Sequence, residues 1–176
     1  MIPEYVCDLD PATKTKLKVV LIKNVKNVEE IRSKVISGAW RCCVVKPSLV
    51  VSPLQLAAAA NRAALSRLHG NMVTRTVYGE ILYNLSLTKN ISQSLAKFGI
   101  EKEQDLLVCF LITSEEDFSA DIVEQIDGDI SPMSELTSLT NIKDVKSVYK
   151  LNNLKDDVDL LDVIVSRMAT KTFVSH

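Results

Sequence analysis

The fold of this chain is decided by residues 52–100, which read SPLQLAAAANRAALSRLHGNMVTRTVYGEILYNLSLTKNISQSLAKFGI. Ser52 followed three residues later by Gln55 is the pattern of a helix capping box, and Asn90 with Gln93 repeats it. The proline after Ser52 suits the first turn of a helix. The stretch therefore predicts a helical lobe of three consecutive helices, at residues 52–69, 74–86 and 90–98.

Two glycines mark the ends of these helices. Gly70 and Gly99 directly follow the first and the third helix. At that position a residue in the left-handed conformation often closes the last helical turn. We therefore expect both glycines to adopt the left-handed conformation.

Apolar segments on both sides of the helical lobe are predicted to be strands. Residues 16–23 and 105–113 are largely apolar and too short for typical buried helices. Shorter strands are expected at residues 4–8 and near Ile130, and further helices are expected at residues 27–38, 122–126, 132–139, 141–151 and 156–170. The sequence therefore predicts a single domain over residues 1–176, of the α+β (α/β) class. In it, a small mixed β-sheet from the N- and C-terminal parts carries the inserted helical lobe and flanking helices.

The composition is typical of an intracellular globular protein. The 176 residues are 47% hydrophobic and 24% charged, which suits a chain that buries a core. No apolar run approaches the roughly 20 residues of a membrane span, and the first residues lack the pattern of a signal peptide. Cys7, Cys42, Cys43 and Cys109 show no C-x-x-C spacing, so we expect free thiols.

Charge is divided unevenly along the chain. Residues 1–104 carry 15 Lys and Arg against 8 Asp and Glu, whereas residues 105–176 carry 6 against 14. Between Arg32 and Lys97 the only acidic residue is Glu80. Such asymmetry can mark an anion-binding surface, but it also arises when two halves neutralise each other, and the sequence leaves both interpretations open.

Catalytic motifs are not found in the sequence. His69 lies beside a helix-ending glycine, His176 is the last residue, and the five glycines are scattered rather than clustered into a phosphate cradle. The densest group of carboxylates is explained by capping of a C-terminal helix: Asp156, Asp157, Asp159 and Asp162. We therefore predict no catalytic residue, no metal site and no cofactor.

Four cations of the helical lobe are candidates for a surface that binds RNA phosphates. They are Arg62, Arg67, Arg75 and Lys97. Arg62 falls on one polar stripe of the first helix with Gln55, Ser66 and His69. The alternative interpretation is an ordinary solvated helix face, which the residues by themselves favour.

The third helix carries apolar residues that are candidates for binding a partner protein. Ile91, Leu95 and Phe98 recur at helical spacing, and Ile100 follows directly. These four residues either form an exposed ridge or face the protein's own core, and helical spacing favours the core.

The ordered set of segments in the helical lobe resembles a known family. AANRA at 59–63, TRTVYGEILYNLS at 74–86 and NISQSLAKFGI at 90–100 are similar to the small subunits of the KEOPS (EKC) complex, which bind the atypical kinase PRPK. The resemblance continues outward in IKNVKN at 22–27, VYKL at 148–151 and SRMATK at 166–171. No single motif is chemically specific, and the resemblance rests on the order of the whole set.

The resemblance implies a non-catalytic subunit, cytoplasmic and nuclear, that binds the amino lobe of the PRPK-type kinase and reaches the other KEOPS subunits through it. That complex attaches a threonylcarbamoyl group to adenosine 37 of tRNA, and its small subunit is implicated in holding the tRNA, notably the 3′ CCA end. The expected kinase-binding residues are then Ile91, Leu95, Phe98 and Ile100. The expected tRNA-binding residues are Arg62, Arg67, Arg75 and Lys97. The competing hypotheses are a stand-alone RNA-binding module and a small enzyme.

Overall fold

Five strands form one sheet in the computed structural model, which describes residues 3–155 and 158–173. The strands are β1 (Tyr5–Asp8), β2 (Lys16–Lys23), β3 (Cys43–Val45), β4 (Leu106–Ile112) and β5 (Asp129–Ser131). The helices are α1 (Val28–Ile36), α2 (Pro53–Leu68), α3 (Val77–Leu85), α4 (Ile91–Phe98), α5 (Ser119–Glu124), α6 (Leu136–Leu139), α7 (Ile142–Val148) and α8 (Leu160–Ala169). The predicted α+β class is confirmed, with the helical lobe inserted between β3 and β4.

The sheet is antiparallel rather than mixed, which corrects the predicted topology. Its order is β1-β2-β4-β3, β5 pairs with β2, and each pairing is antiparallel. β2 and β3 run in the same direction because both are antiparallel to β4. They do not form a parallel pair because β4 lies between them.

Both faces of the sheet are buried under helices. On one face, Leu17 and Leu107 belong to a core cluster shared with the helical lobe and α8. On the other face, Val20 and Val108 belong to a second cluster with α1 and α5. Successive side chains of a strand point to opposite faces, so a strand covered on both sides must be apolar almost throughout. This explains the continuous apolar run of β4 and the apolar run at positions 19–22 of β2.

The first and third helices of the lobe begin at their predicted caps, whereas the second begins at Val77, after the N-cap Thr76, and not at 74. Ser52 Oγ accepts a hydrogen bond from the backbone N–H of Leu54, and Asn90 Oδ1 accepts one from Gln93. Gln55, however, is buried and does not complete a capping box with Ser52. Its Oε1 accepts from the N–H of Val51, and its Nε2 donates to the carbonyl of Leu49 at 3.1 Å. The predicted polar stripe of α2 is therefore interrupted at Gln55.

A buried hydrogen-bonded chain ties the lobe to the C-terminal part of the protein. Gln55 Nε2 donates to the hydroxyl of Tyr149 at 2.9 Å, and that hydroxyl donates to the carbonyl of Leu85 at 2.6 Å. Tyr149 is fully buried, which raises the pKa of its phenol and keeps it protonated. The Tyr149 side chain therefore joins α2, α3 and the end of α7.

The two helix-ending glycines differ in conformation. Gly70 has φ +69°, the left-handed conformation that the sequence predicted. Gly99 has φ −72° and ψ 157°, so the left-handed expectation is wrong there. A Cβ at Gly99 would lie 2.6 Å from the carbonyl oxygen of Leu95, so glycine is needed for close approach to the helix end.

The C-terminal helix is shorter than predicted. It begins at Leu160 because Asp159 is its N-cap, whose Oδ1 accepts hydrogen bonds from the N–H groups of Leu161 and Asp162. Asp156, Asp157 and His176 lie outside the described residues. None of the described helices is long and apolar enough to cross a membrane.

Replacing Tyr149 with Phe tests the buried hydrogen-bonded chain. We expect Tyr149→Phe to lower the free energy of unfolding by about 1–3 kcal/mol, because it removes the donor to the buried carbonyl of Leu85 and the acceptor of one of the two Gln55 Nε2 N–H bonds. Urea denaturation measures the difference. Tyr83→Phe is the matched control, since the Tyr83 hydroxyl has no hydrogen bond with another described residue. Equal losses in the two variants would contradict the structural role of the Tyr149 hydroxyl.

Candidate docking groove and cationic cluster

An apolar groove of about 1020 Å³ lies between α1, the helical lobe and the end of β4. We call it the α1–α4 groove. Its walls include Ile36 of α1, Leu82 of α3, Leu95 of α4 and Phe110 of β4, and Phe118 stands at its rim. The groove is open to solvent along a surface where apolar side chains predominate.

Three of its large apolar side chains are exposed. Ile36 is 73% exposed, Phe118 47% and Leu95 37%. Single exposed apolar residues are common on protein surfaces, but a group of them around one groove marks a surface for binding another molecule.

The floor of the groove contains a strand edge that β3 leaves uncovered. The last pair between β3 and β4 joins Cys43 to Cys109, yet β4 continues to Ile112. The N–H of Leu111, which faces the β3 side, donates to the hydroxyl of Tyr78 at 3.3 Å instead of to a strand. This end of β4 is therefore an open edge, of the kind that can pair with another extended segment.

The cations that line the groove all come from the first 100 residues of the chain. They are Arg32, Arg41 and Arg67. Arg41 lies 3.8 Å from a carboxylate oxygen of Glu116 and 5.9 Å from the ring centre of Phe118. Glu101 and Glu116 supply acidic side chains to the same lining.

The only carboxylate between Arg32 and Lys97 is buried. Glu80 accepts hydrogen bonds from the N–H of Val73 at 3.0 Å and from the N–H and hydroxyl of Thr74. The Glu80 charge is therefore used inside the protein to hold the α2–α3 connection. The exposed surface of residues 32–97 consequently carries cations without carboxylates.

Two cysteines line the groove, and burial raises the pKa of both thiols. They are Cys42 and Cys43, and all four cysteines of the chain are free, as predicted. Burial raises the pKa of the Cys42 thiol to about 12, so the thiol stays protonated at neutral pH and is a poor nucleophile.

The predicted kinase-binding residues separate into exposed and buried members. Ile91 and Leu95 are each 37% exposed on α4, and Ile100 is half-buried in the wall of the groove. Phe98 is fully buried, with its ring centre 6.0 Å from that of Tyr149. The expectation that Phe98 belongs to an exposed ridge is wrong, because this side of α4 packs on the core.

The four predicted tRNA-binding cations do not form one patch. Arg62 is half-buried and its Nη1 donates to the carbonyl of Met168 at 3.0 Å, beside α8. Arg67 lines the α1–α4 groove instead. Arg75 is exposed in the α2–α3 connection, and Lys97 is exposed on the last turn of α4. The exposed His69 follows α2 and shares no site with Arg62.

Lys171, which the sequence did not predict as a site residue, lies close enough to Arg62 and Lys89 for their charges to act on it. Lys171 is 1% exposed, and its ammonium donates to the carbonyl of Tyr83 and lies over the Tyr83 ring at 3.3 Å. Burial lowers the pKa of Lys171 to about 8, with smaller effects from Arg62, which lowers it, Glu80, which raises it, and Lys89, which lowers it. We call Arg62, Lys89 and Lys171 the cationic cluster.

The sequence signal for the cationic cluster is slight. Lys171 is the last residue of the SRMATK segment. It lies three residues after Met168, the last large apolar residue of the C-terminal helix, and a lysine at such a position is usually exposed to solvent. Only the folded chain brings it beneath α3, where its positive charge has been removed from water beside two other cations. The Glu80 carboxylate offsets part of the repulsion among these cations, and an anion bound beside Arg62 and Lys89 would offset more of it.

The protein is a small α+β domain with an exposed apolar groove and a group of cations. Both features are typical of proteins that bind other macromolecules. The sequence model of the family described as kinase binding protein CGI-121 matches residues 22–172. The EKC/KEOPS complex subunit TPRKB of Danio rerio is 34% identical over 161 residues, which cover 86% of this chain and 89% of that relative. The EKC/KEOPS complex subunit CGI121 of Kluyveromyces lactis is 33% identical over 113 residues, 64% of this chain and 71% of the relative. This chain belongs to the kinase-binding CGI-121 family.

The lowered pKa of Lys171 predicts a pH dependence of stability. Its pKa is about 8 in the folded chain against an ordinary 10.5, so the unfolded chain binds more protons within that window. Stability therefore rises with pH across the window. We expect the free energy of unfolding of the wild type, measured relative to Lys171→Met, to increase from below pH 8 to above pH 10. Urea denaturation at several pH values checks this, and a constant difference would contradict it.

Proposed function

We propose that this chain is a non-catalytic subunit of the KEOPS (EKC) complex, which binds a PRPK-type atypical kinase. Through that kinase it would join the other KEOPS subunits, in the cytoplasm and the nucleus. The observation that carries the proposal is membership of the kinase-binding CGI-121 family over most of the chain. The groove beside α4 supports it, because exposed apolar residues are the usual centre of a protein–protein interface.

The proposed kinase-binding surface consists of Ile91, Leu95 and Ile100. Ile91 and Leu95 are exposed on α4, and Ile100 continues the surface into the groove. Phe98 supports this surface from below, since its burial fixes α4 on the core.

Leu95→Glu tests the kinase interface. We expect at least about a tenfold loss of affinity for the PRPK-type kinase of the same organism, because the carboxylate would be buried against an apolar surface. Isothermal titration calorimetry measures the affinity. Leu54→Glu is the matched control, since Leu54 is also an exposed helix leucine, at 53%. A folded Leu95→Glu variant with wild-type affinity would refute this surface.

We further propose that the protein helps to hold tRNA for the threonylcarbamoyladenosine (t6A) modification at position 37, through the cationic cluster. Arg62 and Lys89 carry charge near the buried Lys171, and phosphates are the anions that such cations bind on RNA. Arg75 and Lys97 are exposed and are proposed as additional phosphate contacts. Arg67, which was predicted with them, lies in the groove and is less suited to the same strand.

Neutralising the cationic cluster tests the tRNA proposal. Each phosphate contact contributes roughly 0.7–0.9 to the slope of log affinity against log salt concentration. We therefore expect Arg62→Gln with Lys89→Gln to weaken tRNA binding and to lower the slope by about 1.5. Lys143→Gln with Lys146→Gln, on α7, is the control of equal charge. An unchanged slope in the first variant would rule out the cluster.

The alternative function is a stand-alone RNA-binding module. The uneven charge of the chain favours it, since the exposed surface of residues 32–97 lacks carboxylates. The two functions differ in whether tight tRNA binding requires the kinase. A module binds tRNA tightly in the absence of the kinase, whereas the proposed subunit forms a stable complex with the kinase and contributes to tRNA binding within it.

A further inference from the structure

We propose that the α1–α4 groove receives an extended segment of the partner kinase that carries aliphatic side chains and at least one carboxylate. This inference rests on the proposed kinase-binding function and specifies how and where a second part of the partner is held. It adds α1, Phe118 and the open end of β4 to the surface assigned above to α4.

The aliphatic side chains expected in the partner segment are inferred from the exposed apolar walls of the groove. Ile36 and Phe118 are more exposed than Leu95, so the folded chain leaves two large apolar side chains of the groove in contact with water. Filling the groove removes these side chains from water, which stabilises a complex roughly in proportion to the area buried.

The extended conformation follows from the edge of β4. β4 continues three residues beyond its last pair with β3, and the N–H of Leu111 has only the Tyr78 hydroxyl as its partner. An extended segment can add to such an edge through its own backbone hydrogen bonds, and alternate side chains then enter the groove.

The carboxylate expected in the partner segment is inferred from the arginines that line the groove. Among the described residues, neither Arg32 nor Arg67 has a carboxylate oxygen within 4.0 Å, whereas Arg41 pairs with Glu116. Glu101 and Glu116 also line the groove, and their carboxylates repel a strand of phosphates. A polypeptide that presents separate apolar and acidic side chains is therefore favoured over RNA.

The kinase is the favoured source of the segment because the groove continues the proposed kinase surface. Leu95 belongs to both, with Ile100 beside it. A kinase seated on α4 is therefore close enough to place a neighbouring segment along the groove without a second partner.

Affinity measurements with the full-length chain and the kinase test this inference. We expect Ile36→Glu, and separately Arg32→Glu with Arg67→Glu, each to lower kinase affinity at least about tenfold. The charge control is Lys143→Glu with Lys146→Glu on α7, which leaves the groove lining unchanged. Circular dichroism confirms that each variant is folded, which is expected because Ile36 is 73% exposed.

Hydrogen exchange provides the second readout. On adding the kinase, we expect the amide of Leu111 and the amides of residues 35–42 to become protected, in addition to those of α4. Wild-type affinity in both groove variants, or protection confined to α4, would overturn the groove inference and leave kinase binding intact. Protection of the groove by tRNA instead of the kinase would overturn it as well. Failure of the wild-type chain to bind the kinase would reject the proposed function itself.

Discussion

The pairing of β4 with two strands is the constraint on which the rest of the structure depends. β4 is bound along one edge to β2 and along part of the other to β3, and both of its faces are buried. The helical lobe packs on one face and α1 with α5 on the other. Because β3 is shorter than β4, the layers leave a gap at the end of β4, and that gap is the α1–α4 groove. The groove is thus a direct result of unequal strand lengths.

Local sequence patterns predicted the elements of this fold but not their arrangement. Apolar runs identified β2 and β4, and caps such as Ser52 and Asn90 identified the helices, because both signals depend on neighbouring residues. The strand order depends on which distant strand fills the place beside β2. That information lies in tertiary packing, so the predicted mixed sheet was wrong although its strands were right.

The candidate site was predicted in part, for the same reason. Helical spacing places Leu95 and Phe98 on neighbouring positions of α4, but only the position of the Tyr149 ring decides that Phe98 is inside while Leu95 is exposed. Gln55 read as a capping residue and is instead a buried partner of Tyr149. Lys171 belongs to the SRMATK segment, but its burial could not be predicted from neighbouring residues, since its environment is created by α2, α3 and the connection after α3. Polar and charged residues whose partners are far away in sequence are the ones that local patterns misplace.

The β2–β4 ladder also has a consequence for how the chain folds. Its register joins Ile22 to Leu106 and Lys16 to Ile112, so the whole helical lobe lies within the loop that this ladder closes. Closing a loop of that length costs conformational entropy before the ladder returns any hydrogen bonds. The contacts among α2, α3 and α4, by contrast, join residues that are near in sequence. If α2, α3 and α4 pack together before the ladder forms, they shorten the effective loop between β2 and β4. Early packing of the helical lobe would then speed the pairing of these two strands.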